Sequence, residues 1–455
     1  MTPPAASAAK VAAAAIVLAA GEGTRMKSAL PKVLHKVAGR RLIDYALGTL
    51  TAEAIDPVVV VVGPGMESVA QAVAPRPTVI QHERRGTGHA VLQAQAALGA
   101  FTGDIFIVYG DTPFIAAGTY QRMRAARAQT GAAIVVLGFT PEVPAPYGRL
   151  VIGPRGLERI VEAKDAAPEE LALRLCNSGV MLVDAAVLWR LLPRITANNA
   201  KGEYYLTDLV ALAAADGLTS TVVEGDADEL LGINSRAELA QAEALVQARL
   251  RRQAMDGGAT LTDPATVYLC ADTKLGRDVE IGPFTVFGPG VTVDDNATIK
   301  GFCHIEGAHI AGGAVVGPHA RLRPGADIGE DAHIGNFVEV KKVAVGKGAK
   351  ANHLAYLGDG TVGAGANIGA GTIFCNYDGF DKYDTHVGEG AFIGSNTALV
   401  APRTVGAGAY IGSGSVITKD VPADALAIAR GEQVEKPGRA AAFRARKLAE
   451  KAAKA

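Results

Sequence analysis

The sequence is poor in aromatic residues and cysteine, and it has no excess of either charge. Phe, Trp and Tyr make up 5% of the 455 residues while glycine occurs 54 times, so the core must be built mainly from aliphatic side chains. The four cysteines are far apart and form no C-x-x-C pair, which argues against a metal cluster or disulfide scaffold and fits a reducing compartment. With 45 basic and 46 acidic residues, charge offers no argument for a nucleic-acid partner.

Long hydrophobic runs are absent as well. The apolar stretch that begins at Val11 covers about eleven residues, too few to span a bilayer, and it leads directly into a Gly-rich polar loop. A buried parallel strand explains this stretch better than a signal peptide. We therefore predict a cytoplasmic protein without membrane insertion, and the composition of the first ten residues predicts disorder there.

The chain length predicts two or three domains. Residues 11 to about 235 alternate short apolar runs with stretches of helical spacing, which is typical of an α/β layer with a largely parallel sheet. Residues 236–256 then carry apolar side chains at helical intervals until a Gly-Gly pair stops the run. We predict a first domain over residues 1–235 and a long connecting helix over 236–256.

Beyond the helix the apolar period changes to six. Ile281, Phe287, Val293 and Ile299 follow one another at this spacing, and the pattern continues with slips to residue 417. Such a repeat is the signature of a parallel β-helix, in which each hexad forms one short face and three faces complete a turn. We predict a β-helix over residues 257–435, with an extruded loop where the period breaks at 375–386. The basic tail, residues 436–455, is expected to be a solvated helix or frayed end.

A glycine-rich turn follows the first strand, in the string LAAGEGTRM at residues 18–26, with Pro-Lys at 31–32. Such a turn aims several backbone N–H groups at one point, as in phosphate sites, and Arg25 and Lys32 add cations that can neutralise a triphosphate. The string is neither a Walker loop nor a dinucleotide fingerprint. A bare G-x-G is usually only a tight turn, whereas the whole string is far more specific. Glu22 places an unexpected negative charge beside this site.

Oxygen ligands for Mg²⁺ follow two other apolar stretches. Asp111 stands at the end of the strand IFIVYG, where α/β proteins bind ligands, and Asn234 follows ELLGI. An Asp at a strand end is by itself more often a turn residue or helix cap. Mg²⁺ held by one or two protein oxygens plus substrate phosphates is a common arrangement.

The glycine-rich string resembles the signature of sugar-1-phosphate nucleotidyltransferases. The resemblance implies that Asp111 and Asn234 bind the metal, and that a sugar phosphate attacks the α-phosphorus of UTP without a general base while Arg25 and Lys32 neutralise charge. Matching strings are IQHERRGTGHA, PYGR, IVEAKD and CNSG. The nucleotide and sugar pockets are then implied to be lined by Leu18, Ala19, Ala20, Gly21, Lys32, Gln81, Gly86, Thr87, Tyr109, Gly110, Asp111, Gly148, Glu162, Asn177 and Asn234.

The repeat region holds residue types that suit acyl transfer from a thioester to an amine, in the strings ARLRPG, NFVEVKK, ANHLAYLGD, NIGAGT and CNYDGFDK. His353 can take the proton of the attacking amine, Glu339 can orient the imidazole, and Asn376 or nearby N–H groups can stabilise the oxyanion. A lone His in a solenoid is more often a packing residue. Cations that can hold the phosphates of the sugar and of coenzyme A are Arg323, Lys341 and Lys382.

The six-residue repeat resembles the hexapeptide acyltransferases, whose coils are left-handed and which assemble as trimers. From residue 11 to 430, the combined strings resemble the family of bifunctional UDP-N-acetylglucosamine pyrophosphorylases/glucosamine-1-phosphate N-acetyltransferases. This resemblance implies a homotrimer that acetylates glucosamine-1-phosphate with acetyl-CoA. Uridylylation with UTP and Mg²⁺ then gives UDP-N-acetylglucosamine for cell-wall and lipopolysaccharide synthesis.

In this resemblance His353 is the catalytic base, and Ser413 stands where a small Ala is expected. The residues implied to bind glucosamine-1-phosphate are Arg323, Lys341, Tyr356 and Asn367. Those implied to bind acetyl-CoA are Ala370, Asn376, Tyr377, Lys382, Ser395, Ser413 and Arg430.

The predicted fold class is therefore an α/β, Rossmann-like nucleotidyltransferase domain joined by a long helix to a left-handed parallel β-helix acetyltransferase domain. Two alternatives stay open. The β-helix could be only a trimerising scaffold, against which His353 and Arg323 argue. The chain could instead be a non-catalytic regulatory paralogue, although Arg25, Lys32 and Asp111 are all present.

Overall fold

The computed structural model describes residues 11–144 and 147–454, so the disorder expected for the first ten residues lies outside the described part. The chain divides into two compact units between Arg249 and Leu250, inside the helix that spans Arg236–Asp256. Within the described ranges, no helix combines the length and the apolar character needed to cross a membrane.

The first unit alternates strands and helices. Its strands, β1 to β11, are Ala13–Leu18, Lys36–Val37, Arg40–Arg41, Val58–Val62, Thr78–Ile80, Asp104–Tyr109, Ile134–Phe139, Arg149–Gly153, Gly156–Val161, Cys176–Asp184 and Ser220–Glu224. The α-helices, α1 to α9, are Leu42–Ala52, Glu67–Val73, Thr87–Gln93, Gln95–Leu98, Ala117–Thr130, Pro168–Leu171, Ala185–Leu191, Asp208–Ala215 and Arg236–Asp256. Short 3-10 helices are Thr24–Met26, Lys32–Leu34 and Leu192–Arg194.

The main sheet has the strand order β11-β7-β10-β6-β1-β4-β5. Strand β10 runs antiparallel to β6 and β7, and the other neighbours on this path are parallel. Strands β1, β4 and β7 are buried along their whole length, because helices cover both faces of such sheets and leave no polar side to alternate with. The carboxyl ends of β1 and β6 meet at one edge, which brings the glycine-rich turn and Asp111 together.

The second unit is a stack of very short strands. Strands β12 to β35 are Thr260–Leu261, Lys274–Leu275, Glu280–Ile281, Val286–Phe287, Thr292–Val293, Thr298–Ile299, His304–Ile305, Ala308–Ile310, Val315–Val316, Arg321–Leu322, Ala326–Ile328, His333–Asn336, Glu339–Val345, Lys350–His353, Tyr356–Val362, Asn367–Ile368, Ile373–Cys375, Thr385–Val387, Phe392–Ile393, Ala398–Val400, Arg403–Val405, Tyr410–Ile411, Val416–Ile417 and Leu426–Ala427. A 3-10 helix, Pro264–Thr266, lies near its start, and helix α10, Arg439–Ala452, near its end.

These strands pair in parallel with the strand one coil away, and residues stacked on neighbouring coils are 17 or 18 apart in sequence. The six-spaced residues Ile281, Ile334, Ile393 and Ile411 point inward and are fully buried. At the break in the period, neighbouring residues are 25 apart, and the additional residues form a loop closed by a bridge between Tyr377 and Lys382. The predicted fold class, with a mostly parallel α/β domain, a long helix and a β-helix, is confirmed.

The coils stack so closely at Gly335 that we expect a side chain there to destabilise the β-helix. A Cβ added there would collide with the backbone carbonyl of Asn352 on the next coil, which cannot rotate away. We expect Gly335→Ala to lower the free energy of unfolding of the β-helix by about 2 kcal/mol or more, measured by denaturant unfolding. Gly431→Ala, where a Cβ would meet open space, is the matched control. Equal stability of the two variants would contradict such close contact between the coils.

Candidate active sites

A cavity of about 290 Å³ opens at the carboxyl edge of the parallel strands. Sequence reasoning did not single out four of its lining residues, Val33, Arg84, Ala90 and Glu203. Arg84 and Ala90 lie within the string IQHERRGTGHA, so that string gave a signal for them, whereas nothing around Glu203 did. The expected residues that line the cavity are Leu18, Ala19, Ala20, Gly21, Lys32, Gln81, Gly86, Thr87, Tyr109 and Asp111.

The glycine-rich turn presents unused backbone donors to this cavity. Within the described part of the chain, the N–H groups of Gly21, Glu22 and Gly23 donate no hydrogen bond. Gly23 adopts a left-handed φ of 63° and starts the 3-10 helix that carries Arg25, whose side chain is exposed. Successive unpaired N–H groups in such a turn form a concave anion site. The turn therefore has the geometry of a phosphate cradle.

Three polar side chains converge at one point of the cavity wall. The Lys32 ammonium donates to a carboxylate oxygen of Asp111, and its Nζ lies 2.9 Å from Oδ1 of Asn234. Two oxygens that meet on one cation are suited to bind a metal ion as well, because Mg²⁺ takes oxygen ligands and usually completes its shell with water and phosphate. No cluster of three or more His, Cys, Asp or Glu side chains suited to a metal occurs among the described residues.

Glu22, whose charge was unexpected beside a phosphate site, has a partner. Its carboxylate accepts a hydrogen bond of 2.6 Å from Arg84, whose Nε also donates to the carbonyl of Ala20 at 3.0 Å. The pair ties the glycine-rich turn to the loop before α3. Because both side chains are partly exposed, the ion pair itself adds little stability, but it neutralises the Glu22 charge.

The far side of this region holds the residues expected to bind the sugar. The backbone N–H of Asn177 donates to the carbonyl of Gly148 at 2.9 Å, and its side-chain oxygen accepts from the N–H of Gly179. A Cβ on Gly179 would lie 2.7 Å from the ring of Tyr109, so the tyrosine packs against bare backbone here. These contacts join the irregular start of β10 to the end of β6.

Glu162 lies in the same neighbourhood. It accepts a hydrogen bond from the Thr207 hydroxyl at 3.3 Å, and burial raises the pKa of its carboxyl. Burial, together with the charges of Asp111 and Glu162, also raises the pKa of the Tyr109 hydroxyl, which places all three groups within electrostatic range. Gly110, between Tyr109 and Asp111, bonds back to β1 through the Leu18 carbonyl and fixes the position of both neighbours.

In the β-helix, the expected acyl-site residues form a column with one residue per coil. His353, Ala370, Ser395 and Ser413 each stand two residues after an inward-pointing residue of the same ladder of parallel strands. The Arg430 guanidinium donates to the Ser413 carbonyl at 2.5 Å at the upper end of the column. A long ligand lying along this edge would meet all of them in turn. A second cavity, of about 190 Å³, lies beside His353 and is also lined by Lys300, His333, Asn336 and Asn352.

The partner of His353 is Asn336, not Glu339. Nδ1 of His353 lies 2.7 Å from Oδ1 of Asn336, its neighbour on the preceding coil. An amide oxygen only accepts, so Nδ1 carries the proton and Nε2 is left as the acceptor. Glu339 lies on a different ladder, where it accepts from Arg323 at 2.8 Å and stacks on Arg321. The expected orienting role of Glu339 is therefore replaced by charge pairing with Arg323.

Lys341 and Lys382 form a cationic group beside the loop that follows β28. Contact with the Lys382 ammonium lowers the pKa of Lys341, because neighbouring cations disfavour each other's charge, and the nearby Asp359 carboxylate opposes this shift. Asp359, which sequence reasoning missed, is 6% exposed, and its Oδ2 lies 4.0 Å from Nζ of Lys341. The same oxygen accepts from the Asn376 amide at 2.6 Å. One buried carboxylate thus holds two expected substrate-binding residues.

The remaining expected residues lie on the outer surface of the coils. Tyr356 begins β26 and stacks beside Glu339, while Asn367 begins β27 on the ladder that carries His353. Tyr377 is 59% exposed at the loop, where its hydroxyl donates to the Gly379 carbonyl at 2.6 Å.

Comparison with known proteins also finds different families in the two parts of the chain. Residues 15–176 match the MobA-like NTP transferase domain family, and residues 272–307 and 384–419 match the bacterial transferase hexapeptide family. The chain is 63% identical over 442 residues to the "Bifunctional protein GlmU" of Paramagnetospirillum magneticum, covering 97% of this chain and 98% of that protein. Proteins of the same name from Rhodospirillum rubrum (95% of this chain, 97% of the relative) and Azorhizobium caulinodans (94% and 97%) are 63% and 55% identical. The chain belongs to the family of bifunctional GlmU proteins.

Proposed function

We propose that the chain acetylates glucosamine-1-phosphate with acetyl-CoA in its β-helix and then transfers UMP from UTP to the product in its α/β domain. UDP-N-acetylglucosamine and pyrophosphate are released. One observation supports this proposal: the glycine-rich turn with its nearby oxygen ligands and the His353 column occur together in one chain. The four free cysteines support activity in the cytoplasm.

In the α/β domain, catalysis rests on positioning and charge neutralisation. The unused N–H groups of the glycine-rich turn hold the triphosphate, with Arg25 and Lys32 as flanking cations. Asp111 and Asn234 hold Mg²⁺, which neutralises phosphate charge when bound. A phosphate oxygen of N-acetylglucosamine-1-phosphate then attacks the α-phosphorus of UTP, and pyrophosphate leaves.

The residues assigned to nucleotide and sugar binding lie in two adjoining groups. Residues of the cavity wall bind the nucleotide, and a second group, which begins at Tyr109 on the edge of that cavity, binds the sugar. The first group is Leu18, Ala19, Ala20, Gly21, Gln81, Gly86 and Thr87. The second group is Tyr109, Gly110, Gly148, Glu162 and Asn177.

In the β-helix, His353 Nε2 accepts the proton of the sugar ammonium, and the amine then attacks the thioester carbonyl. The Asn376 amide, held by Asp359, directs its second hydrogen toward the developing oxyanion. The carbon–sulfur bond breaks, the nitrogen gives up its surplus proton to the departing sulfur, and coenzyme A leaves as the thiol. The sugar phosphate is bound by Arg323, Lys341, Tyr356 and Asn367, and acetyl-CoA by Ala370, Tyr377, Lys382, Ser395, Ser413 and Arg430.

The two sites can be tested against each other in one protein. We expect His353→Ala to abolish acetylation and leave uridylylation within about twofold, because the two sites belong to separate units with their own cores. Asp111→Asn should do the reverse. Mass spectrometry follows acetylation of glucosamine-1-phosphate by acetyl-CoA in one assay, and uridylylation of supplied N-acetylglucosamine-1-phosphate by UTP with Mg²⁺ in a separate assay. Parallel loss of both activities in either variant would contradict two independent sites.

Omission of single substrates tests the order of the reactions. Without acetyl-CoA, we expect no UDP-N-acetylglucosamine from glucosamine-1-phosphate, whereas N-acetylglucosamine-1-phosphate should still react with UTP. If wild-type protein released no pyrophosphate from UTP and N-acetylglucosamine-1-phosphate, the proposal would fail.

Asn336 is a positioning residue for His353. Asn336→Ala removes the acceptor that keeps the proton on Nδ1, so we expect kcat of acetylation to fall about tenfold to a hundredfold with little change in KM for acetyl-CoA. Asn336→Asp keeps an acceptor and should recover part of kcat while shifting the acid limb of its pH profile upward, because the carboxylate stabilises the imidazolium. An Asn336→Ala variant with unchanged kcat and pH profile would exclude this role.

We also propose that the chain is a homotrimer assembled through the β-helix, as in the acyltransferases it resembles. An exposed column of stacked rings supports an interface there: Phe302 lies 5.1 Å from Phe284 and 4.8 Å from His319, which stacks on Phe337. Light scattering should give three times 46.7 kDa. Phe302→Arg should reduce that mass, and Phe443→Arg, on exposed helix α10, is the control. A monomeric wild type would refute the trimer.

A further inference from the structure

We infer that the Lys32 ammonium occupies the metal position while no nucleotide is bound, so that the divalent cation enters only together with the triphosphate. This inference rests on the proposed assignment of Asp111 and Asn234 as metal ligands. It concerns when these ligands become available rather than whether they bind metal.

The ammonium lies where a metal ion bound by both ligands is expected. Lys32 reaches across the cavity to side chains 79 and 202 residues away, and its Nζ contacts an oxygen of each. A cation that used both oxygens would have to lie close to Nζ, because Nζ already contacts both of them. Two positive charges a few ångströms apart would also repel each other, because a partly buried site screens charges less than bulk water does.

The carboxylate needs this ammonium in the absence of nucleotide. The side chains of Lys32 and Asp111 are only 12% and 17% exposed, so an unpaired carboxylate would be poorly solvated. Among the described residues, Lys32 is the one cation that forms an ion pair with Asp111. Asn234 is fixed as well, because its backbone N–H donates to Glu238 at 2.7 Å and its amide to the Gly232 carbonyl at 3.2 Å.

Binding of a metal–triphosphate complex overcomes both obstacles, the occupation of the metal position by Lys32 and the repulsion between the two cations. Its phosphate oxygens complete the metal shell, which two protein oxygens alone leave weakly filled. The same phosphates offer the displaced ammonium a new anionic partner, because Lys32 lines the same cavity as Gly21, whose N–H group is unused. One lysine would thus serve first as a substitute for the metal and then as a phosphate ligand.

The test measures binding of Mn²⁺ alone to the full-length, nucleotide-free protein by electron paramagnetic resonance of the free ion. We expect Lys32→Met to bind Mn²⁺ about tenfold or more tightly than the wild type, because it removes both the occupant and the repulsion. Lys27→Met, at an exposed lysine of the same segment with no ion pair in the described structure, should leave the Mn²⁺ affinity unchanged. Lys32→Met combined with Asp111→Asn should lose the gain.

Two outcomes separate this inference from the proposed site. If Mn²⁺ joins UTP on the wild type but not on Asp111→Asn, and Lys32→Met gains no affinity for Mn²⁺ alone, the metal site stands and the inference is wrong. If Mn²⁺ does not join UTP on the wild type, the assignment of the ligands fails and the inference with it. Should Lys32→Met not fold, as judged by circular dichroism, Lys32→Gln gives the same comparison with a neutral side chain that still donates to Asp111.

Discussion

Parallel pairing of strands is the constraint on which both candidate sites depend. In the α/β domain it brings the carboxyl ends of β1 and β6 to one edge, so the phosphate cradle and Asp111 meet although they are far apart in sequence. In the β-helix it stacks each coil on the one before, so chemically different side chains form a column along one edge. In both cases the backbone fixes position, and the side chain at that position supplies the chemistry.

The same parallel pairing explains why we propose different phosphate-binding groups for the two domains. Backbone N–H groups of the β-helix strands bond to the adjacent coil and are not available to a ligand. In the proposed function, phosphate binding there therefore falls to side chains such as Arg323 and Lys341. The turn after β1 stands beyond the end of the sheet, where the N–H groups of Gly21 and Gly23 find no partner in the described structure. A cradle of backbone dipoles can therefore form at this turn.

The fold followed from local patterns, whereas the partners within the sites did not. Unbroken apolar runs and the six-residue period predicted the sheet and the coils because both reflect burial that repeats along the chain. Asn336 was missed because it is not a sequence neighbour of His353. The two residues lie one coil apart, so a search 17 residues before His353 would have found it. The orienting role expected for Glu339 was wrong for the same reason. Its neighbour one coil away is Arg321, which lies close to Arg323.

The contacts of Lys32 could not be predicted from patterns in the sequence. Its partners lie 79 and 202 residues away and belong to no repeat, so only the tertiary structure could reveal them. The cations that we propose to bind substrate phosphates form ion pairs with carboxylates: Lys32 with Asp111, Arg323 with Glu339 and Lys341 with Asp359. A cluster of unpaired cations would repel itself and weaken the folded state before any substrate arrives. Internal carboxylates remove that cost, and an incoming phosphate, with more charge and more acceptor oxygens, can still compete for the same cations.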